Sequence, residues 1–232
     1  MLFSENRISL GIALPLQPRI ASDIRFNEQI ELVKLAEKFG FQAVWVRDVP
    51  LNNGRYPDPL GHSDPFVLLS AIAVSTSSIH LVTGAIVLTL RHPLHVAKAA
   101  LSLQSLSGDR FVLGVGSGDR PSEFKVFDQN YDDRKVLFRE KWSVLRNALD
   151  DDEIASENGE GERTKFWLRP RTEVKVAMLA VGSASQSLEW IARNSTGWAT
   201  YHRDLAIQKD RIALWHKAVS KAGGGFRSFQ PP

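Results

Sequence analysis

An α/β fold built on a parallel sheet is the architecture this sequence predicts, and three observations carry it. Short apolar runs alternate with amphipathic stretches at a period of roughly thirty residues, as successive βα units require. The 232 residues are 43% hydrophobic and 24% charged, the composition of a chain with a buried core. There is no cysteine, which removes disulfide frameworks, thiolate nucleophiles and cysteine-ligated metals. By strand count alone, an open doubly wound sheet and a closed barrel both fit. The length falls somewhat below the roughly 250 residues usual for an eight-stranded α/β barrel.

Ile8–Leu14 reads as the first buried strand, ended by Pro15. Phe26, Ile30, Val33 and Phe39 recur at helical spacing, and Gly40 is placed to end that helix. Ala43–Val46 is the second strand. Asp64-Pro65 forms an N-cap and first-turn pair for a helix carrying Phe66, Leu69 and Ala73. Ile79–Leu90, rich in β-branched residues, predicts a third strand. Pro93 opens a helix through Leu94, Ala97, Ala100 and Leu101, with Gly108 past its end. Phe111–Val115 is a fourth strand, and Phe138, Trp142, Leu145 and Leu149 mark the next helix.

Residues 150–165 break the rhythm with Asp150, Asp151, Asp152, Glu153, Glu157, Glu160 and Glu162, and predict an acidic surface loop. No histidine joins those carboxylates, so a metal site is not expected there. Val174–Val181 is the fifth strand, Ser185–Arg193 a short helix with Leu188 and Ile191 inward, and Gly197–Tyr201 the sixth strand. A last helix carries Leu205, Ile212, Trp215 and Val219 and stops at Gly223-Gly224-Gly225. Phe226–Gln230 begins something extended.

Charge argues against a nucleic-acid partner. The net charge is only +3, and the most basic stretch, Arg163 to Lys175, is interrupted by Glu173 and by apolar residues and is not an aromatic-rich platform for bases. The N-terminal apolar run, Ile8–Leu16, is far short of the ~20 residues that span a bilayer. It carries no signal-peptide pattern, so the expected setting is cytoplasmic, with no membrane partner.

Gly114-Val115-Gly116-Ser117-Gly118-Asp119 follows the fourth strand. A dinucleotide fingerprint needs a third glycine at position 119, where this chain has Asp, and belongs on the first strand. A nicotinamide Rossmann reading is therefore set aside. What survives is a glycine-rich βα loop whose backbone N–H groups can face an anionic or flat ligand.

Several segments together resemble the bacterial-luciferase-like flavin oxidoreductases. They are L-A-E-K-F-G-F-Q-A-V-W-V-R-D (35–48), G-A-I-V-L-T-L-R-H-P-L-H-V-A-K (84–98), L-S-G-D-R-F-V-L-G-V-G-S-G-D-R-P-S-E-F (106–124), V-G-S-A-S-Q-S-L-E-W-I-A (181–192) and G-W-A-T-Y (197–201). The resemblance implies a TIM-type (β/α)8 barrel. It also implies an incomplete one: about six βα units are legible and the seventh and eighth are not. A flavin-type cofactor is implied across the C-terminal mouth, where barrel enzymes build their sites from several strand ends.

The resemblance also assigns candidate residues. Gly182, Ser183, Ser185 and Gln186 would hold the cofactor's phosphate. A Gly-Ser-x-Ser turn at a helix N-terminus independently offers N–H groups, hydroxyls and the positive dipole end, although plain N-capping by Ser183 or Ser185 would explain the same residues. Thr83, Gly84 and Ala85 would pass under the flavin ring, small residues allowing close approach; a glycine bulge is the alternative for Gly84. Ser117 and Gly118 end the fourth strand, and Tyr201 ends the sixth, with Arg203 a further phosphate partner.

For chemistry, Glu123 would handle protons if a hydrophobic pocket raised its proton affinity; an exposed helix-start carboxylate is the alternative. Where relatives place a histidine after the second strand, this chain reads Asp48-Val49-Pro50. That leaves Asp48 as candidate base and Arg47 as anion partner. Arg91 and His92 could touch cofactor or substrate, or His92 could cap the loop.

The implied function is an FMN-dependent monooxygenase acting on a small organic substrate with reduced flavin and O2. A separate NAD(P)H:flavin reductase and a homodimer are the implied partners. A 5-deazaflavin-dependent hydride transfer and a non-catalytic flavin-binding member remain as alternatives.

Overall fold

The computed structural model describes residues 8–16, 25–53, 61–151, 153–157 and 163–223. Seven strands form one parallel sheet: β1 (Gly11–Leu14), β2 (Ala43–Val46), β3 (His80–Thr83), β4 (Ile86–Val87), β5 (Phe111–Gly116), β8 (Ala177–Val181) and β9 (Gly197–Ala199). Their order is β1-β2-β3-β5-β8-β9, with β4 pairing β5 beyond the end of β3. Helices α1 (Phe26–Lys38), α2 (Pro65–Ser75), α3 (Pro93–Ser107), α4 (Pro121–Val126), α5 (Arg134–Asp150), α6 (Leu188–Asn194) and α7 (Leu205–Lys221) fill the connections. The sheet curls as part of a TIM-type barrel, and among the described residues β1 and β9 are its edges. Among the described residues the barrel does not close, in keeping with what the resemblance implies.

The two faces of the sheet bury different sets of side chains, as alternation along each strand requires. Leu81, Phe111, Leu113 and Val115 pack outward against Leu69, Ile72, Ala97, Leu101, Phe138 and Trp142 of the helices. Ala43, Val82, Val112, Ala177 and Leu179 form a smaller cluster with Trp45. That second cluster is the interior of the partial barrel.

Most local signals act as the sequence predicts. Asp64 accepts from the N–H groups of Phe66 and Val67 with Pro65 in the first turn, and Gly108 ends α3 at φ 62°. Several elements differ. The stretch 79–90 is not one strand: β3 ends at Thr83, a bulge holds Gly84 and Ala85 (joined by a cis peptide), and β4 is followed by a 3-10 turn at Leu88–Leu90. Between Val82↔Val112 and Ile86↔Val115 the chain has one residue more than β5, the mark of a β-bulge. The Thr83 hydroxyl bridges the gap, donating to Gly114 O and accepting from Gly114 N, both at 2.9 Å.

The acidic excursion is a second difference. Ile154–Glu157 (β6) and Arg163–Phe166 (β7) pair antiparallel as a two-stranded hairpin, although residues 152 and 158–162 lie outside the described part. Alternation over a few residues carries too little apolar signal here, since β7 is exposed throughout and Ile154 of β6 is only partly buried.

In α1 the buried positions are Gln29, Val33 and Ala36, while Phe39 is 75% exposed. Gln29 takes the core position because its amide clamps Leu16, accepting from Leu16 N at 2.8 Å and donating to Leu16 O at 3.1 Å. In α7 only Ala218 is buried and Leu205 is 87% exposed. That helix packs on α6, and the Trp215 ring stacks on Trp198 at 5.6 Å. The sheet ends at β9, so nothing among the described residues covers its other apolar positions. The predicted extension at Phe226–Gln230 falls outside the described residues.

Candidate active site

The ends of all the parallel strands share one rim, because parallel strands present their C-termini together. Asp48 follows β2, Ser117 and Gly118 follow β5, Gly182 to Gln186 follow β8 and Tyr201 lies just past β9. The structure therefore brings the candidate residues to one end of the sheet. Their individual environments differ.

Asp48 has a side chain only 2% exposed. One oxygen accepts from Arg91 Nε at 2.9 Å and from Val87 N at 3.0 Å, and the other from Arg91 Nη2 at 2.9 Å. With both oxygens occupied by a two-pronged guanidinium, Asp48 is a structural anchor and not a free base. The cation that holds Asp48 is Arg91, while Arg47, the candidate anion partner, has an exposed side chain. Arg91 also donates to Asp64 at 2.8 Å, tying β2 to the cap of α2. Burial works against the Arg91 charge, but Asp48 and Asp64 hold the guanidinium protonated beyond its usual range.

Glu123, in the first turn of α4, is 4% exposed. Burial pushes its carboxyl above the ordinary glutamate range, Arg120 pulls it back, and Asp119 and Asp48 push it further up. Arg120 approaches only to 3.5 Å. Glu123 is thus a buried carboxyl without a two-pronged partner, and the exposed helix-start alternative is excluded.

Gly182, Ala184 and Ser185 all have positive φ, at 65°, 46° and 59°. The resulting turn leaves the N–H groups of Ser183 and Ala184 without an acceptor among the described residues, while Ser185 N donates to Ser183 Oγ at 3.3 Å. Ser117 Oγ lies 3.4 Å from Ser185 Oγ, joining the ends of β5 and β8. The helix after this turn starts at Leu188, with Ser187 as its cap. It is too short and too late for the expected dipole argument at Ser183 or Ser185. Gln186 is buried and faces α5, donating to Lys135 O at 3.0 Å and accepting from Arg139.

Gly84 gives close approach to a flat ring, but the ring is the protein's own. A Cβ there would sit 1.6 Å from Trp45, whose indole N–H donates to Gly84 O at 2.9 Å. Thr83 is engaged with Gly114 as described above, and Ala85 packs 3.2 Å from where a Cβ on Gly116 would stand. His92 caps α3, its Nδ1 accepting from Leu94 N at 3.3 Å. Tyr201 is 62% exposed, and His202 and Arg203 are exposed beside it. Asp64, Phe66, Arg91, His92 and His95 line a groove of about 380 Å³, on the outer side of the rim where α2 and α3 begin. No cluster of three or more His, Cys, Asp or Glu side chains suited to a metal occurs among the described residues.

Sequence reasoning missed the Arg91–Asp48–Asp64 bridge and the seat of Trp45 on Gly84. Each joins residues 27 to 43 positions apart, and no local pattern carries such a pair. The one available signal was the R-H-P opening of α3, which put Arg91 at the rim. No helix among the described residues is long and apolar enough to cross a membrane.

Comparison with known proteins bears on what such a rim is for. Residues 8–230 match the family model for luciferase-like monooxygenases. A curated relative, 4-hydroxyprotoasukamycin monooxygenase of Streptomyces nodosus subsp. asukaensis, is 31% identical over 229 residues, covering 94% of this chain and 60% of its own length. The chain thus spans about three fifths of that relative. An F420-dependent secondary alcohol dehydrogenase, solved with an F420-acetone adduct, superposes with a TM-score of 0.76 at 18% identity, over 96% of this chain and 67% of its own. A type II Baeyer–Villiger monooxygenase of Pseudomonas putida, solved with FMN, gives 0.72 at 16% identity, over 96% and 64%. The two structures share the fold, and the family model spans nearly the whole sequence: this chain belongs to the luciferase-like monooxygenase family.

Proposed function

We propose that the chain binds a flavin-type cofactor at the C-terminal rim and serves an FMN-dependent monooxygenation of a small organic substrate with O2. The observation that carries this reading is the turn at 182–185. Its two N–H groups without an acceptor among the described residues, with the Ser117 and Ser185 hydroxyls 3.4 Å apart, fit a phosphate such as the one FMN carries. Gly182 supplies the backbone conformation there, and Tyr201 stands beside it, 3.4 Å from where a Cβ on Gly182 would be. When bound, the flavin would supply the electrons and the oxygen chemistry; the protein positions and protects.

The chain's own contributions follow from the rim. Ser183, Ser185 and Ser117 bind the phosphate. Gly84 and Ala85, held by Trp45, shape the strand end beside it. Glu123, buried and raised in proton affinity, gives or takes a proton at its carboxyl oxygen. Asp48 and Arg91 keep that end of the sheet rigid, and His92 orders the entrance to α3. A reductase delivering reduced flavin, a homodimer and a cytoplasmic setting complete the proposal.

A 5-deazaflavin hydride transfer is the second reading, favoured by the fold neighbour that carries F420. The experiment adds FMN or a 5-deazaflavin to the purified protein and follows bound cofactor by fluorescence, then oxidation of reduced FMN with aldehydes and ketones. Micromolar FMN binding with substrate-dependent turnover is expected. Retention of the deazaflavin alone moves the assignment to hydride transfer. If neither cofactor binds and no rate exceeds that of free flavin, the enzyme reading is lost.

A further inference from the structure

The carboxylate that sequence reasoning offers as a base is held by donors on both oxygens, and the arginine that holds it has no part in the cofactor turn. Arg91 reaches Asp48 with Nε and Nη2 and Asp64 with Nη2. Asp48 in turn accepts from Val87 N. Val87 packs over the loop that leads into α4: a Cβ on Gly118 would stand 2.9 Å from Val87 Cγ1 and 3.1 Å from the Phe124 ring. A continuous path therefore runs from Arg91 through Asp48 and Val87 to Gly118 and Phe124, the neighbour of Glu123. The charges that face Glu123 are Arg120 and Asp119 from its own loop and Asp48 from the end of β2. Among the described residues the acidic partners of Arg91 are Asp48 and Asp64 and not Glu123, so its link to Glu123 runs through Asp48.

We propose that Arg91 is a positioning residue for the rim, acting through Asp48 to set both the place of the Val87–Gly118 contact and the electrostatic surroundings of Glu123. Two prongs on one carboxylate and a third contact on Asp64 fix the end of β2, the start of α2 and the bulged β4 relative to one another. A lysine could keep the charge but not this fork.

The inference rests on reading Glu123 as the proton-exchanging group, and its test needs neither cofactor nor substrate. The Glu123 carboxyl is titrated by carbon NMR in the full chain, with Val87 amide exchange as a second readout. In Arg91→Met the uncompensated Asp48 should make Glu123 bind its proton roughly tenfold more tightly, and Val87 should lose protection. Asp48→Asn should move the midpoint the other way. Adding Arg91→Met to Asp48→Asn should leave the midpoint where Asp48→Asn put it. If Arg91→Met does not fold, Arg91→Lys serves: a smaller upward shift with the same loss of Val87 protection is expected. An unmoved Glu123 midpoint overturns the proposal. So does an equal shift by Arg91→Met with and without Asp48, since Arg91 would then act directly. Absent turnover, with the shifts as expected, overturns the catalytic reading of Glu123 and leaves the positioning role intact.

Discussion

Glu123 and Asp48 are both buried carboxylates near strand ends, and their partners separate their roles. Asp48 meets a bidentate arginine and a backbone N–H, whereas buried Glu123 meets one arginine at 3.5 Å. Burial therefore dominates at Glu123 and raises its affinity for a proton. A carboxyl whose folded value is raised adds stability that is whole below the ordinary glutamate value of 4.5. That stability is lost as pH rises through the folded value. Urea unfolding of the wild type should show stability falling across that window, and Glu123→Gln should flatten the fall. The same substitution should lower turnover about 100-fold or more while FMN affinity stays within a few-fold; steady-state kinetics and a binding titration check both.

At the scale of elements, the bulge between β3 and β4 organises the centre of the sheet. Thr83 replaces missing ladder bonds with its hydroxyl, and Gly114 opposite has no room for a side chain, since a Cβ would come within 2.0 Å of Thr83 O. Backbone cannot yield as a flexible side chain can. Gly114→Ala should cost about 1–3 kcal/mol, in the range of core overpacking, read as a lowered denaturant midpoint with an unchanged slope. At the opposite end, Glu37 accepts from the N–H groups of Ser77, Ser78 and Ile79, and Arg110 reaches the carbonyls of Ala73, Thr76 and Ile79. These contacts join α1, α2 and β5 on the face away from the candidate site, where barrel residues serve stability.

At the scale of the whole molecule, packing is uneven. Phe138, Trp142 and Trp190 form an aromatic cluster under α5 and α6, with ring centroids 5.5–6.1 Å apart, and Phe138 is fully buried. Along α7 and outward on α1, large apolar side chains stay exposed. Phe138→Ala should cost about 3–5 kcal/mol by cavity formation. The pair Leu205→Gln and Ile212→Gln should change stability by under ~0.5 kcal/mol while reducing self-association, measured by unfolding and light scattering. The exposed sites also explain why helical periodicity misled: Leu205, Ile212 and Phe39 have the spacing of buried residues, and burial needs a neighbouring element as well as spacing.

The resemblance singled out the rim serines, Glu123 and Asp48, whereas periodicity, caps and turn residues by themselves determined the order of βα units, the span of β2, and the Asp64 and Gly108 caps. Those are local properties, written in neighbouring residues and in the shared polarity of parallel strands. Tertiary structure alone decided what each rim residue meets: Gly84 receives Trp45, Gln186 turns to α5, Asp48 is held by Arg91, and Glu123 is left buried with one distant partner. These outcomes depend on side chains brought together from tens of residues apart. The free energy of a buried charge or a missing Cβ is set by such distant neighbours, not by the sequence around it.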